Sequence, residues 1–197
     1  MNDAKKPSLD HPVQPAVAAR WSPCTWADRA VARPDLRSLF EAARWAPSAF
    51  NEQPWRYLVA TREDPAAFEL LLSCLVEGNR GWARHAPVLA LAVVSLNLAR
   101  TGQPNGTAQH DLGLASAHLA LEAAARGLAV HQMGGILPDR AREVYGIPDG
   151  FTAVTGLAIG YPGEPVGEFA ARDLAPRTRH PQAGFVFAGA FGRALAD

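Results

Sequence analysis

The chain has 197 residues, 48% of them hydrophobic, enough to bury one sizeable core, and a single domain is the expectation. Nineteen Lys and Arg balance nineteen Asp and Glu, so no net field draws the protein to nucleic acid or to an anionic membrane. Cys24 and Cys74 form no CxxC pair and give no reason for a disulfide, which suits a reducing compartment and makes the cytoplasm the expected location.

Residues 1–19 read as a flexible lead-in: Lys5 and Lys6 carry charge, but no apolar core follows them, so a secretory signal is not expected. Pro34 and Asp35, followed by Leu36, Leu39, Phe40, Ala43 and Trp45, predict a helix that stops near Pro47. A bend rich in Pro and Asn leads into a strand over 55–60, and leucines with Phe68 predict a helix over 65–75. The run over 88–94 is continuously apolar, as in a strand covered on both faces; with its flanks it is too short to span a membrane.

A loop over 101–106 precedes the longest helix, 108–126, which is rich in Ala and Leu and ends at Gly127. A short strand over 128–130, a helix over 138–145 and a strand over 151–159 complete the body. After Gly167 the chain changes character: Arg172, Arg177, Arg179 and His180 precede an apolar Phe185-Val186-Phe187 and a glycine-rich end. Periodicity supports no clear helix there, and the tail reads as an arm packing on the body or on a second subunit.

The six histidines lack metal-ligand spacing, Ser48 is in no GxSxG elbow, and neither cysteine has a local reason for thiolate activation. No metal site and no catalytic nucleophile is expected. Gly134-Gly135 and Gly160-Tyr161-Pro162-Gly163 also fail the GxGxxG pattern of a dinucleotide fold. The bend over 46–55 is the richest in chemistry. It presents Ser48, Asn51 and Gln53 between Pro47 and Pro54, a rigid loop of amide and hydroxyl groups able to read the edge of a flat polar ligand. The same Asn and Gln can instead hold their own loop.

Arg20-Trp21-Ser22, the 46–55 bend, Asn79 with Trp82 before Ala86-Pro87, Asp111-Leu112-Gly113, Gly134-Gly135, and Gly146-Ile147-Pro148 through Gly160-Tyr161-Pro162 occur in an order that resembles the FMN-dependent nitroreductase family. The resemblance covers residues 20–197 as one domain. It implies an α+β fold, a central mostly antiparallel sheet flanked by helices, in an intertwined homodimer with FMN at the subunit interface. It further implies ping-pong transfer from NADH or NADPH through flavin N5 to a small-molecule acceptor such as a nitroaromatic or quinone, with no obligatory acid or base. A flavin-binding or degenerate non-redox homodimer of the same fold is the alternative.

By the same resemblance, Arg20, Ser22, Arg177 and Arg179 hold the flavin phosphate, a role that suits guanidinium forks and a hydroxyl donor. Pro47, Ser48, Asn51 and Gln53 line the ribityl and pyrimidine side, Asn79 reaches the pyrimidine edge, and Gly134 and Gly135 bring backbone beside N5. Read as residues alone, Asn79 serves equally as a helix-end cap and the two glycines as a turn. Cys24 stands where the family usually has Arg or Lys, so one phosphate cation is missing, Arg29 or Arg33 is a candidate to replace it, and Cys24→Arg is expected to tighten FMN binding. Trp82 stands where some members place a basic residue; stacking on the ring and burial in the core are both open. The short 95–108 segment implies an exposed pocket with weak substrate discrimination.

Overall fold

A computed structural model describes residues 5–195. Its four strands are β1 (Trp55–Thr61), β2 (Val88–Ser95), β3 (Ala129–Met133) and β4 (Phe151–Gly160), in the order β1-β2-β4-β3. Every neighbouring pair is antiparallel. The helices are α1 (Pro15–Ala19), α2 (Arg33–Arg44), α3 (Pro65–Leu72), α4 (Glu77–Ala83), α5 (Ala108–Ala125), α6 (Pro138–Tyr145) and α7 (Ala170–Leu174). No described helix is both long and apolar enough to cross a membrane.

The apolar run of β2 has a simple cause. Leu89, Leu91 and Val93 point into one core with Phe68, Leu71, Leu75, Trp82, Ala141 and Ile147, whereas Val88, Ala90, Ala92 and Val94 point into another with Leu39, Ala43, Leu112, Leu119 and Ala123. Side chains alternate across a strand, so a strand with helices on both faces is apolar at every position. Helices α3, α4 and α6 cover one face, and α2 and α5 cover the other.

Local signals act where expected. Pro34 and Asp35 open α2, Asp64 accepts the Ala67 N–H at 3.1 Å at the start of α3, and Gly127, with φ +73°, follows the end of α5. Strand β3 runs three residues beyond the expected short strand, so Gly134 follows it directly, while α3 stops at Leu72 rather than at 75.

Three short helices were not anticipated. Within the segment read as a lead-in, Pro15–Ala19 form α1, and Lys5 is buried, donating to the carbonyls of Arg172 at 2.9 Å and Ala175 at 2.6 Å. Asn79 lies in the first turn of α4, and α7 lies in a tail for which no helix was expected. Helices of this length gain their stability from what they pack against, so they leave little periodicity in the sequence. The lead-in expectation over 1–4 and the arm expectation over 196–197 fall outside the described residues.

Candidate functional site

The first group of polar residues gathers at the β3 edge of the sheet. The segment after α1 runs beside β3, where His131 donates its Nδ1–H to the Pro23 carbonyl at 2.8 Å. The segment after α7 returns to the same place: Arg177 donates from Nη1 to the Arg20 carbonyl and from Nη2 to the Ala18 carbonyl, each at 2.7 Å. Arg20 Nη1 in turn donates to Ser22 Oγ at 3.3 Å. Burial and the charge of Arg179 lower the pKa of Arg20; burial, then Arg20 and Arg179, lower that of Arg177.

Three guanidinium groups thus stand within electrostatic reach of one another. Among the described residues none of the three has a carboxylate within ion-pair distance. Arg177 Nε is buried with no hydrogen-bond partner among the described residues. A buried unpaired N–H and clustered like charge are both costly, and an anion rich in acceptor oxygens relieves both. The donor set fits a phosphate.

Cys24 takes no part in this cradle through its side chain. It is 3% exposed, its Sγ lies 3.9 Å from His131 Nδ1, and burial pushes its thiol up to about 11. An arginine would not reach the cradle from there without leaving a core position, which removes the ground for expecting Cys24→Arg to tighten binding. Neither proposed replacement cation moves in: Arg29 stacks on Tyr161 at 3.7 Å, and Arg33 faces Glu63 at 3.8 Å. Trp82 is a core residue, fully buried and stacked on His131 with ring centroids 4.2 Å apart.

Asn79 and Gly135 meet at this edge. Asn79 Nδ2 donates to the Gly135 carbonyl at 3.0 Å, and that carbonyl also accepts the Val76 N–H at 3.1 Å. A Cβ on Gly135 would come within 2.5 Å of Asn79 Nδ2, so glycine is required by close approach, whereas Gly134 is exposed with open space around it. The glycine of Gly160-Tyr161-Pro162-Gly163 has the same cause, because a Cβ on Gly163 would lie 2.6 Å from the Trp26 carbonyl carbon.

The second group, the loop before β1, is held in an unusual backbone shape. Phe50, Asn51 and Gln53 have φ of +54°, +56° and +47°, a region that costs a non-glycine residue about 1–2 kcal/mol. Several bonds enforce it. Ser48 Oγ accepts the Gln53 N–H at 3.0 Å, Gln53 Nε2 donates to the Asn51 carbonyl at 3.1 Å, and the Ala49 N–H donates to buried Asp111 in the first turn of α5 at 3.2 Å. Glu52 accepts the Ala99 N–H at 2.7 Å and faces Arg100 at 3.7 Å. Pro47, Asn51 and Gln53 are exposed, so the Asn51 side-chain amide and the Gln53 amide oxygen face outward from a rigid turn.

The two groups sit at opposite edges of the sheet. Loop 47–53 precedes β1 and Gly134-Gly135 follows β3, with β2 and β4 between them, an interval of about 14 Å at ordinary strand spacing. Two clefts of about 520 and 860 Å³ take in Arg29, and the first also Arg33, but neither is lined by Arg20, Ser22, Arg177, Arg179, Asn79, the 47–53 loop or Gly134-Gly135. Sequence reasoning missed Lys5, Asp173, Asp111 and Glu52, which hold the candidates in place. Apart from Asp111 and Glu52, which lie inside quoted motifs, nothing local marks them.

The nitroreductase family model matches residues 17–161, and the chain belongs to the nitroreductase family. A crystal structure described as an oxidoreductase containing FMN is 34% identical, with a TM-score of 0.88 over 97% of this chain and 98% of that one. A protein of Thermus thermophilus named NADH dehydrogenase is 28% identical over 162 residues, 66% of this chain and 76% of that protein. A nitroreductase family protein of Clostridium difficile 630 shares the fold at 22% identity and a TM-score of 0.71, covering 97% of this chain and all of that one.

Proposed function

We propose that this protein is an FMN-dependent oxidoreductase using NADH or NADPH as electron donor and a small molecule such as a nitroaromatic or quinone as acceptor. The observation that carries the proposal is the clustering of Arg20, Arg177 and Arg179, with Ser22 bonded to Arg20 and the Arg177 Nε unpartnered among the described residues. The likeness to an FMN-containing oxidoreductase at 34% identity over nearly the whole chain supports the choice of anion.

In this reading Arg20, Ser22, Arg177 and Arg179 hold the flavin phosphate. Asn79 is oriented by the Gly135 carbonyl toward the pyrimidine edge, and the Gly134-Gly135 backbone borders the ring. Pro47, Ser48, Asn51 and Gln53 supply donors and acceptors from a loop that needs no reorganisation. FMN held by these residues would supply hydride acceptance at N5 and onward electron transfer to the acceptor in ping-pong alternation. The protein contributes position and charge, with no side chain required as acid or base.

A homodimer completes the site. Each chain carries the cradle on one edge and the amide loop on the other, so a second copy can supply the half that the first holds out of reach. The arm supports the same assembly: Phe185, Phe191 and Leu195 are exposed, Phe191 at 97%, with the Phe187 and Phe191 rings 5.0 Å apart.

The test is the visible spectrum of the protein purified without added cofactor, repeated anaerobically with NADH and then NADPH. Bound FMN that bleaches establishes the reductive half-reaction and its donor. Bound FMN that neither nucleotide reduces supports a non-redox flavin protein instead, and a colourless chain that takes up no FMN rejects the proposal.

A further inference from the structure

Asp173 is 1% exposed, and among the described residues it pairs with no cation. Its carboxylate instead accepts the Cys24 N–H at 2.9 and 3.0 Å, the Thr25 N–H at 2.7 Å, and the Thr25 hydroxyl. Four residues later Arg177 holds the carbonyls of Ala18 and Arg20. One short stretch, 173–177, therefore grips the N-terminal segment on both sides of Ser22: through its carbonyls before that serine and through its N–H groups after it.

The polarity of this clasp matters as much as its geometry. A carboxylate free to turn toward the arginine cluster could pair with it and compete with a ligand anion. Here the oxygens of Asp173 are occupied by backbone N–H and hydroxyl donors, so the arginines keep their charge for another anion. Lys5 adds a tie at the far end of α7 by donating to the carbonyls of Arg172 and Ala175. The result is a backbone held in place before any ligand arrives, the condition under which donors bind an anion without an ordering cost.

We propose that Asp173 is a positioning residue of the anion cradle: by clamping the backbone of Cys24 and Thr25 it fixes Ser22 and Arg20 against Arg177, and so makes the protein select phosphorylated flavin over the same flavin without phosphate. The proposal rests on the FMN reading above.

The test is a titration of the full-length chain, stripped of flavin, with FMN and separately with riboflavin, following flavin fluorescence. Wild-type protein is expected to bind FMN more tightly. Asp173→Asn keeps the shape but turns an N–H₂ toward N–H donors; it is expected to raise the Kd for FMN about tenfold or more while leaving that for riboflavin within about twofold. Thr25→Val removes a single donor and moves the ratio of the two Kd values in the same direction by less. Arg142→Ala, which removes bonds of 2.7, 3.0 and 2.7 Å to the Ile147, Pro148 and Phe151 carbonyls, is expected to lower Tm and leave the ratio unchanged.

Equal weakening of both flavins in Asp173→Asn, or an unchanged ratio in a folded variant, overturns the proposal. If Asp173→Asn does not fold, an unchanged ratio in Thr25→Val overturns it. Wild-type protein that binds riboflavin as tightly as FMN rejects the phosphate selection while leaving a flavin protein, whereas wild type that binds neither rejects the FMN reading and this inference with it.

Discussion

Asn79 Nδ2 donates to the carbonyl of Gly135 at 3.0 Å, across a contact so close that a Cβ on Gly135 would approach that nitrogen within 2.5 Å and Val76 Cγ2 within 2.7 Å. Gly135→Ala therefore displaces α4 or its asparagine. It is expected to cost about 1–3 kcal/mol of stability and to weaken flavin binding. Gly134→Ala, whose Cβ meets no described protein atom within 4 Å, is expected to leave stability nearly unchanged, so any loss of flavin binding it causes reports on the ring's approach to this backbone. Urea unfolding and flavin titration of the two variants make the comparison.

Arg179 is exposed and, among the described residues, its side chain donates only to the Thr178 carbonyl at 2.6 Å, yet it acts electrostatically on both Arg20 and Arg177. Arg179→Ala is expected to change stability by less than about 0.5 kcal/mol and to weaken FMN three- to tenfold, on the order of one exposed charge-assisted contact. The difference from wild type should shrink as salt is raised. Parallel titrations at low and high ionic strength read this directly.

Cys24→Arg places a cation at a buried position against His131 and the core. The expected outcome is destabilisation of about 3 kcal/mol or more with no gain in FMN affinity. Chemical denaturation together with FMN titration checks both halves, and tighter FMN binding in a stable variant contradicts the placement of this residue.

Two groups of titratable side chains bound the stable pH range. Burial, opposed by the Pro23 carbonyl, holds the His131 pKa below its ordinary 6.5. The unfolded chain therefore takes up a proton that the folded chain resists, and stability is lost as pH falls below about 6.5. On the alkaline side burial raises Cys24 from 9.0 to about 11 and Tyr145 from 10.0 to about 12, and also raises Cys74. The unfolded chain then loses protons first, and stability falls as pH rises above about 9. Melting temperatures across pH should show His131→Gln flattening the acid limb and Cys24→Ala flattening part of the alkaline one.

The exposed arm predicts an assembly that can be weakened without touching the core. Phe185→Ser with Phe191→Ser removes two exposed rings, at 62% and 97%, from the described chain. Sedimentation is expected to show a dimer for wild type and dissociation at a higher concentration for the double variant. A wild-type monomer would count against the two-copy site.

Much of the body was legible because its signals are local. The Pro34-Asp35 start of α2 and the glycine after α5 report on neighbours a few residues away, the unbroken apolar run of β2 shows within itself that both faces of the strand are covered, and the order of motifs disclosed the family. Loop 47–53 was also recognisable as a site candidate from its residue types alone. Its three positive φ angles were not, because they are imposed partly by Asp111 and by Glu52 with Ala99, far along the chain.

Residue chemistry and periodicity thus determined by themselves that this chain builds a sheet covered on both faces and carries paired basic ends and an amide-rich turn. Only the tertiary structure decided that Cys24 and Trp82 face the core, that Asp173 holds the backbone beside Ser22, and that the cradle and the loop occupy opposite edges. Arg177 and the Arg20 carbonyl are 157 residues apart in sequence, and Asp173 and Cys24 are 149 apart. Contacts at such separations follow from strand order and from how the two ends pack, and no local pattern encodes either.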